Sequence, residues 1–180
     1  MYFSVQPVYY SMKTTIKSLI DAIDAISFKT TDYNIVSIRN SKFPDVMYED
    51  FDISKENYKD IIVSTFDDII VPHEGYVLAS MLQVTRILKW AKERDNILVH
   101  CHAGICRSSA IAYLIECINN PPEEAIKTLS EGNHYPNEWV VMLGSLILNK
   151  PAIYDTMETF NKNEERIISK ILAAKDPSLY

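Results

Sequence analysis

The sequence predicts an α/β protein, with a central, mostly parallel sheet flanked by helices on both faces. Short β-branched runs alternate with amphipathic helical segments in the first part of the chain, and helical segments alone follow to the carboxyl end. Such alternation is typical of parallel sheets, because each helix carries the chain back across the sheet before the next strand begins. A chain of 180 residues is long enough for one well-buried core, so residues 1–180 are interpreted as a single domain.

The predicted strands lie mostly in the amino-terminal half. A first strand in MYFSVQPVYY ends at Pro7, and apolar residues at helical spacing then predict a helix from Thr14 to Ile26. The β-branched run YNIVSIRN predicts a buried strand. Two more strands are predicted from Val46 to Ile53 and from Asp60 to Phe66. The second of them stops at the loop DDIIVPHEG, where proline and glycine interrupt the pattern.

After this loop the chain is predicted to be helical apart from one last strand. An amphipathic helix from Val77 to Ala91 leads into the apolar strand ILVH. In PNEWVV, at the start of a later helix, Asn137 is interpreted as the N-cap. The helices predicted beyond ILVH are Ser108–Ile118, Glu123–Leu129, Glu138–Leu148 and Thr156–Ala174.

Charge and hydropathy argue against two classes of partner. A net charge of −6 does not favour binding of long nucleic acid, since neutralising phosphates needs a basic face. The longest apolar run, WVVMLGSLIL, is shorter than a membrane span, and the amino terminus shows no basic region followed by an apolar signal core. We therefore expect a cytoplasmic protein with neither a nucleic-acid nor a membrane partner.

The three cysteines, Cys101, Cys106 and Cys117, fall within one short segment. A disulfide-stabilised secreted protein distributes its cysteines more widely, so these three are expected to be thiols. His73 and His134 stand apart from them in the sequence, and no tetrahedral metal site is expected. No cofactor is expected either.

The segment ILVHCHAGICRSSAIAYLI joins a strand to an apolar helix through a glycine-containing turn. Backbone N–H groups and a helix N-terminus converge at such a turn and create an anion site. Cys101 ends the strand, where this environment favours thiolate over thiol, and Arg107 opens the helix, where its planar guanidinium can bind two phosphate oxygens. Either residue alone would more often be structural, but their spacing favours a nucleophile beside a phosphate-binding arginine.

His100-Cys101, five residues and Arg107-Ser108 match the pattern H-C-x5-R-[S/T]. This pattern resembles the phosphate loop of the cysteine-dependent protein tyrosine phosphatase superfamily, and the layout from Tyr33 to Leu148 is most similar to the small dual-specificity phosphatases. The resemblance implies a phosphatase-like catalytic domain in which Cys101 attacks phosphorus. It also implies that phosphate is bound by the loop residues His102, Ala103, Gly104, Ile105, Cys106 and Arg107.

In that superfamily an aspartic acid upstream of the loop protonates the leaving oxygen. The segment FDD places Asp67 and Asp68 at the end of a predicted strand. Its resemblance to the acid loop of the phosphatases of regenerating liver favours Asp68, and Asp67 stays as the alternative because spacing does not distinguish the two. Without the cysteine motif, the pair would be interpreted as a solvated loop or a helix cap.

The remaining residues of the motif have either a supporting or a purely structural interpretation. By the resemblance, Ser108 hydrogen-bonds the cysteine and His100 orders the loop from beneath, although a capping serine and a buried histidine are equally common. His102 either attracts phosphate or lines the rim. Cys106 repeats the C-x4-C-R-S pattern of the low-molecular-weight tyrosine phosphatases, which suggests a redox partner for Cys101; the alternative is a small residue filling the underside of the loop.

The favoured function is a phosphomonoesterase, either a protein-tyrosine or a dual-specificity phosphatase, acting on phosphorylated protein or peptide. Three alternatives stay open: an RNA 5′-phosphatase, an arsenate reductase that uses Cys106 and Cys117, and a non-catalytic phosphate-binding module. A low-molecular-weight phosphatase is disfavoured, because those enzymes begin with the phosphate loop and here Asp176-Pro177 lies in the carboxyl-terminal tail. Arg39 is assigned no role.

Overall fold

A computed structural model describes residues 13–27, 29–43 and 48–175 of the chain. The strand predicted before Pro7 lies outside these residues. The described residues form a sheet in which neighbouring strands are parallel and follow the order β1-β4-β2-β3. The strands are β1 (Thr14–Lys17), β2 (Asn34–Arg39), β3 (Asp60–Thr65) and β4 (Ile97–His100).

The carboxyl ends of the four strands meet at one edge of the sheet. His100, the last residue of β4, lies opposite Lys17 of β1 and Ser37 of β2, and Thr65 at the end of β3 lies opposite Arg39. Ligands of open parallel sheets bind at this edge, in the loops that follow the strands. The segment after β4 therefore emerges between the loops that follow β1 and β2.

Helices cover both faces of the sheet, which confirms the predicted fold class. The smaller core cluster combines Ile35 and Leu98 of the strands with buried residues of the first two helices, and the larger cluster contains Val36, Ile38 and Val99. Adjacent strand residues thus point to opposite cores, as the two-residue repeat of a strand requires. The helices are α1 (Leu19–Ser27), α2 (Glu49–Ile53), α3 (Met81–Ala91), α4 (Arg107–Asn119), α5 (Pro122–Ala125, continued by a 3₁₀ helix at Ile126–Leu129), α6 (Glu138–Leu148) and α7 (Ala152–Lys175).

The helix predicted from Thr14 to Ile26 is wrong in its first part. Residues Thr14 to Lys17 form β1, in register with β4, and the helix begins only at Leu19. The side chain of Ser18 accepts a hydrogen bond from the N–H of Asp21 at 3.1 Å, which is the geometry of an N-cap. Ile16 fitted the helical spacing by coincidence, and pairing with β4 overrides that local pattern.

The strand predicted from Val46 to Ile53 is also wrong. Residues 49–53 form α2, and residues 46 and 47 lie outside the described residues. Tyr48 and Phe51 are three residues apart, so one turn of helix directs both rings into the core, where they are 1% and 0% exposed. A strand would point these two residues to opposite faces.

The other elements agree with the prediction to within a few residues, and the differences lie at helix ends. The helix predicted from Val77 begins at Met81, because Ser80 and Gln83 form a reciprocal capping box at that point. Among the described helices, none combines the length and apolar character needed to cross a membrane.

Candidate active site

The loop between β4 and α4 surrounds the sulfur of Cys101. The Cys101 side chain is 2% exposed, and its Sγ accepts a hydrogen bond from the N–H of Gly104 at 3.3 Å. The Ser108 Oγ lies 3.2 Å from the same sulfur. The chain therefore curls around the thiol between the end of the strand and the first turn of the helix, and places a backbone N–H and a hydroxyl group beside the sulfur.

Gly104 allows the loop to pack against the junction of β1 and α1. Its φ is +76°, and a Cβ atom there would lie 2.7 Å from the backbone N of Ser18 and 2.8 Å from the backbone C of Lys17. The N–H of Leu19 also donates to the His102 carbonyl at 3.0 Å. Both the backbone conformation and the lack of space exclude a larger residue at this point of the loop.

Arg107 is the first residue of α4, and its side chain is only 4% exposed. Its Nη1 donates to the Phe66 carbonyl at the end of β3, at 2.8 Å. Its Nε is buried and has no hydrogen-bond partner within the described chain. The Nη1 side of the guanidinium is thus fixed by its bond to the end of β3, whereas the buried Nε–H of the same side chain has no acceptor among the described residues.

The two aspartates of FDD are in different environments. Asp67 is 2% exposed, and its carboxylate accepts hydrogen bonds from the N–H of Ser41 at 3.0 Å, from the Ser41 hydroxyl and from the N–H of Val77 at 2.7 Å. Burial alone would raise the pKa of Asp67, but these hydrogen bonds and the charge of Arg107 hold it below its ordinary value. Asp67 is a buried carboxylate that joins the loop after β2 to the loop before α3.

Asp68 is exposed and faces the loop around Cys101. Its Oδ1 accepts a hydrogen bond from Asn137 Nδ2 at 2.8 Å. The Cys106 thiol donates a second hydrogen bond to the same side chain. A cavity of about 540 Å³ opens beside these three residues, between residues 68–73 and residues 135–138. Its lining does not include Cys101 or Arg107, so it adjoins the loop without enclosing the thiol.

The three cysteines carry free thiols. Burial, together with the charge and hydrogen bond of Asp68, raises the pKa of the half-buried Cys106 thiol to about 12. Burial likewise raises the pKa of Cys117 to about 12, and this side chain lies fully inside the larger core cluster. Cys106 therefore stays protonated at neutral pH, and Cys117 is remote from solvent.

The two histidines that flank Cys101 lie on different sides of the loop. His100 is fully buried beneath it, stacked on Phe51 with ring centroids 4.7 Å apart, and its Nδ1 lies 3.3 Å from the Cys101 carbonyl oxygen. Burial, assisted by the charges of Arg39 and Arg107, lowers the pKa of His100 to about 4, so this imidazole is neutral. His102 is exposed and makes an edge contact with Phe43, at 4.7 Å between ring centroids.

Sequence reasoning missed the segment that supports the loop from the other side. His134 Nδ1 lies 3.2 Å from the Gly104 carbonyl oxygen, and the N–H groups of Tyr135 and Asn137 donate to the carbonyls of Ile105 and Cys106 at 3.2 and 3.1 Å. No sequence motif predicts these contacts, because five of the six groups that make them are backbone groups. Ser41, the partner of Asp67, was missed for the same lack of signal.

The structure adds contacts for two further residues that the sequence analysis considered, Asn137 and Arg39. Asn137 is the N-cap of α6, since its Oδ1 accepts from the N–H of Val140 at 3.1 Å, and it also contacts Asp68. Arg39, to which no role was assigned, lies over the Tyr48 ring at 4.6 Å. Within the described part of the chain, no group of three or more His, Cys, Asp or Glu side chains could hold a metal ion.

The sequence matches no protein-family model and no curated protein. Solved structures do resemble it. Tk-PTP in its active form is 16% identical with a TM-score of 0.50, over 76% of this chain and 90% of that chain. PTPMT1 is 14% identical with a TM-score of 0.51, over 78% of this chain and 94% of that chain. The chain therefore has the fold of the protein tyrosine phosphatases.

Proposed function

We propose that the chain is a phosphomonoesterase, a protein-tyrosine or dual-specificity phosphatase that acts through a cysteinyl-phosphate intermediate. The observation that carries the proposal is the position of Cys101 Sγ, which accepts the Gly104 N–H and lies against the Ser108 hydroxyl at the start of α4. The sulfur lies beside the N-terminus of a helix with a backbone N–H directed at it, in the anion-binding part of the loop, which is where a nucleophile for phosphorus is needed.

The phosphate group of the substrate binds within the loop in this proposal. The backbone N–H groups of residues 102–107 are the donors, as in other turns that bind anions. Arg107 adds charge and a planar pair of N–H groups, and its unpartnered Nε gains an acceptor when a phosphate oxygen arrives. A buried donor without a partner is costly in the free protein, and phosphate relieves that cost.

The first chemical step transfers the phosphoryl group to sulfur. The Cys101 thiolate attacks phosphorus, the bond from phosphorus to the ester oxygen breaks, and the electron pair leaves on that oxygen. Asp68, in its protonated form, gives the oxygen a proton, so that it departs as an alcohol or phenol. Such proton donation contributes about 10²–10⁴-fold to the rates of comparable enzymes.

The second step releases phosphate. The Asp68 carboxylate takes a proton from a water molecule whose oxygen attacks phosphorus, and the sulfur–phosphorus bond breaks. Ser108 assists by donating a hydrogen bond from its hydroxyl to the sulfur, which leaves as a thiolate; the distance of 3.2 Å between Ser108 Oγ and Cys101 Sγ suits this role. His100 holds the Cys101 backbone from beneath, and His102 lies at the mouth of the loop.

Asp68 suits the role of the acid better than Asp67 does. The oxygens of Asp67 are already occupied by Ser41 and Val77, and the lowered pKa of Asp67 keeps it ionised. A group that must deliver a proton needs the opposite properties, namely a reachable oxygen and an accessible protonated form. Asp68 is exposed and adjoins the loop, so we assign it the proton transfer.

A redox role for Cys106 is less well supported. Resolving a sulfenic acid at Cys101 needs a thiolate, and the pKa of about 12 keeps Cys106 protonated at neutral pH. Its hydrogen bond to Asp68 fits a structural contribution to the acid loop instead. Cys117, fully buried in the core, is no better placed to serve as the thiol of an arsenate reductase.

The substrate in this proposal is a phosphorylated protein or peptide in the cytoplasm. No lysine lies among residues 102–106, which weighs against a polyphosphorylated lipid, and the net charge of −6 weighs against the 5′ end of an RNA chain. Neither a nucleic acid nor a membrane is needed to complete the chemistry.

The experiment that tests the function is hydrolysis of a small aryl phosphate by wild type, Cys101→Ser, Asp68→Asn and Asp67→Asn, each with and without reductant. We expect Cys101→Ser to be inactive and Asp68→Asn to lose about 10²–10⁴-fold in kcat. Asp67→Asn should lower the free energy of unfolding and should reduce kcat much less than Asp68→Asn does. A wild type that is inactive in reductant would contradict the proposal. Turnover that requires Cys106 and an added oxyanion would point to a reductase.

A further inference from the structure

Besides the bond that its carbonyl accepts within α6, Asn137 makes three hydrogen bonds that go to different parts of the site. Its backbone N–H donates to the Cys106 carbonyl at 3.1 Å. Its Oδ1 accepts from the N–H of Val140 at 3.1 Å, and its Nδ2 donates to Asp68 Oδ1 at 2.8 Å. Asn137 is only 6% exposed, so its own polar groups are largely shielded from solvent, although Asp68 is exposed.

The orientation of the Asn137 amide follows from its partners. The N–H of Val140 can only donate, so the oxygen of the amide must face it, and the NH₂ group then faces Asp68. The Ile69 carbonyl, 3.4 Å from Nδ2, is a second acceptor on the same side. The reverse orientation would place two donors together at α6 and an amide oxygen against a carboxylate.

A helix cap alone does not need an amide at this position. Serine and aspartate cap helices as well as asparagine does, but ionised aspartate has no donor, and the one donor of serine is on the capping oxygen itself, whereas asparagine has a separate NH₂ group. Here that donor reaches the carboxylate to which the reaction assigns proton transfer. The backbone N–H of Asn137 also bonds to Cys106 in the phosphate loop. One residue therefore connects Asp68 to that loop.

We infer that Asn137 is a positioning residue that holds the Asp68 carboxyl group against the phosphate loop; this inference rests on the proposed function. The Cys106 thiol supplies a second contact to Asp68 from within the loop. Proton donation is efficient only when the acid lies within hydrogen-bond reach of the leaving oxygen, and a displacement of about 1 Å can cost on the order of 10²-fold.

Two variants of Asn137 test the inference while keeping the cap. Asn137→Ser keeps a capping oxygen and removes the donor to Asp68; Asn137→Asp keeps the oxygen and places a carboxylate beside Asp68. We expect Asn137→Ser to lower kcat about 10–100-fold for phenyl phosphate, a poor leaving group. The loss should be several-fold smaller for 2,4-dinitrophenyl phosphate, whose leaving group departs without a proton.

The pH profile is a readout that a purely structural role would not change. A neighbouring carboxylate favours the protonated form of Asp68, so the alkaline limb of kcat should move to higher pH in Asn137→Asp. The other titratable groups beside Asp68 are Cys106, His73, Tyr135 and Glu138, which line the same cavity, together with the buried Asp67 next to it in the chain. All five are unchanged in both variants.

A double-mutant cycle with Asp68→Ala decides whether Asn137 acts through Asp68. We expect Asn137→Ser to reduce kcat for phenyl phosphate about 10–100-fold in the wild-type background and less than about twofold in the Asp68→Ala background. Equal losses in both backgrounds, or equal losses for both esters, would overturn the inference. A wild type that hydrolyses neither ester would instead show that the proposed function has failed, and the inference with it.

Discussion

Gly104 and Gly75 offer a matched pair for separating backbone strain from close contact. Their φ angles are +76° and +73°. A Cβ at Gly104 would meet the backbone of Lys17 and Ser18 within 2.9 Å, whereas a Cβ at Gly75 would meet only the flexible end of Lys42, at 3.6 Å. The cost of positive φ is therefore common to both sites, and the collision is specific to the loop around Cys101.

We predict that Gly104→Ala lowers kcat/KM for an aryl phosphate by about 10²-fold, because the loop must shift away from β1. Gly75→Ala should cost about 1–3 kcal/mol of unfolding free energy, the usual range for a strained residue, and should leave kcat/KM close to wild type. Both quantities can be measured on the same preparations, by steady-state kinetics and urea unfolding. Similar kinetics for the two variants would show that the close approach to β1 is not needed.

Asp67 shows how one side chain links two elements of the site. Its carboxylate holds Ser41, after β2, and Val77, before α3, so its ionisation should contribute to stability. The folded-state pKa of Asp67 is lowered, whereas in the unfolded chain it is about 3.9. The contribution is therefore fully present above about pH 4 and is lost as the pH falls through the lower, folded-state pKa.

We predict that Asp67→Asn lowers the unfolding free energy at pH 7 by about 1–3 kcal/mol, the usual cost of an imperfectly satisfied buried polar group. The difference in unfolding free energy between wild type and variant should become smaller as the pH falls below about 4. Urea unfolding of both proteins over a pH series checks this. A gap that is independent of pH would mean that the charge of Asp67 does not stabilise the two loops.

The close packing of α4 on α6 depends on Gly144. A Cβ at this position would lie 2.2 Å from Leu114 Cδ2 and 2.3 Å from Cδ1, and Leu114 is fully buried. Alanine is favoured over glycine within a helix by about 1 kcal/mol, but overpacking a core typically costs about 1–3 kcal/mol. The collision should dominate, because the Leu114 side chain has no free space to enter.

We therefore predict that Gly144→Ala destabilises the protein although it raises helix propensity. In a Leu114→Ala background the same substitution should become stabilising, by up to about 1 kcal/mol, since the space it needs is then free. Thermal unfolding of the two single variants and the double variant measures the coupling. Independent effects of the two substitutions would show that the helices can move apart.

At the scale of the whole molecule, periodicity predicted the fold class because both cores are built from regular two- and three-to-four-residue repeats. It failed at Thr14–Lys17, where pairing with β4 overrides a helical pattern, and at Glu49–Ile53, where a turn of helix is needed to bury Tyr48 and Phe51 in the same core. Neither outcome can be predicted from the local sequence, because the strand or core residues that determine it are distant in the chain.

The candidate site likewise has a part that the local sequence predicts and a part that depends on distant residues. Cys101 and Arg107 were predicted because they belong to one continuous motif, whose spacing determines their geometry. The different environments of Asp67 and Asp68 depend on Ser41, Val77 and Asn137, which come from three other segments. Adjacent residues of identical type look alike in a sequence, and only tertiary contacts distinguish the buried carboxylate of Asp67 from the exposed carboxylate of Asp68.

His100 couples the proton equilibrium of one buried side chain to the stability of the whole molecule. Burial beneath the loop that follows β4 lowers the folded-state pKa of His100 to about 4, against about 6.5 when unfolded. Between these values the unfolded chain binds a proton that the folded chain does not. The stability that neutral His100 provides is therefore fully present above about pH 6.5 and is lost as the pH falls toward 4.

We predict that the unfolding free energy of wild type falls more steeply between pH 6 and 4.5 than that of His100→Gln, by up to about 1.4 kcal/mol per pH unit, the value for one proton. The slope of unfolding free energy against pH is informative even if the variant is less stable at every pH. Lost packing on Phe51 lowers the unfolding free energy by the same amount at each pH and leaves the slope unchanged. The window lies above the one in which Asp67 titrates, so the two contributions separate in one series of urea unfolding curves. Equal slopes would mean that His100 takes up a proton in the folded state, and the loop would then rest on a charged imidazole.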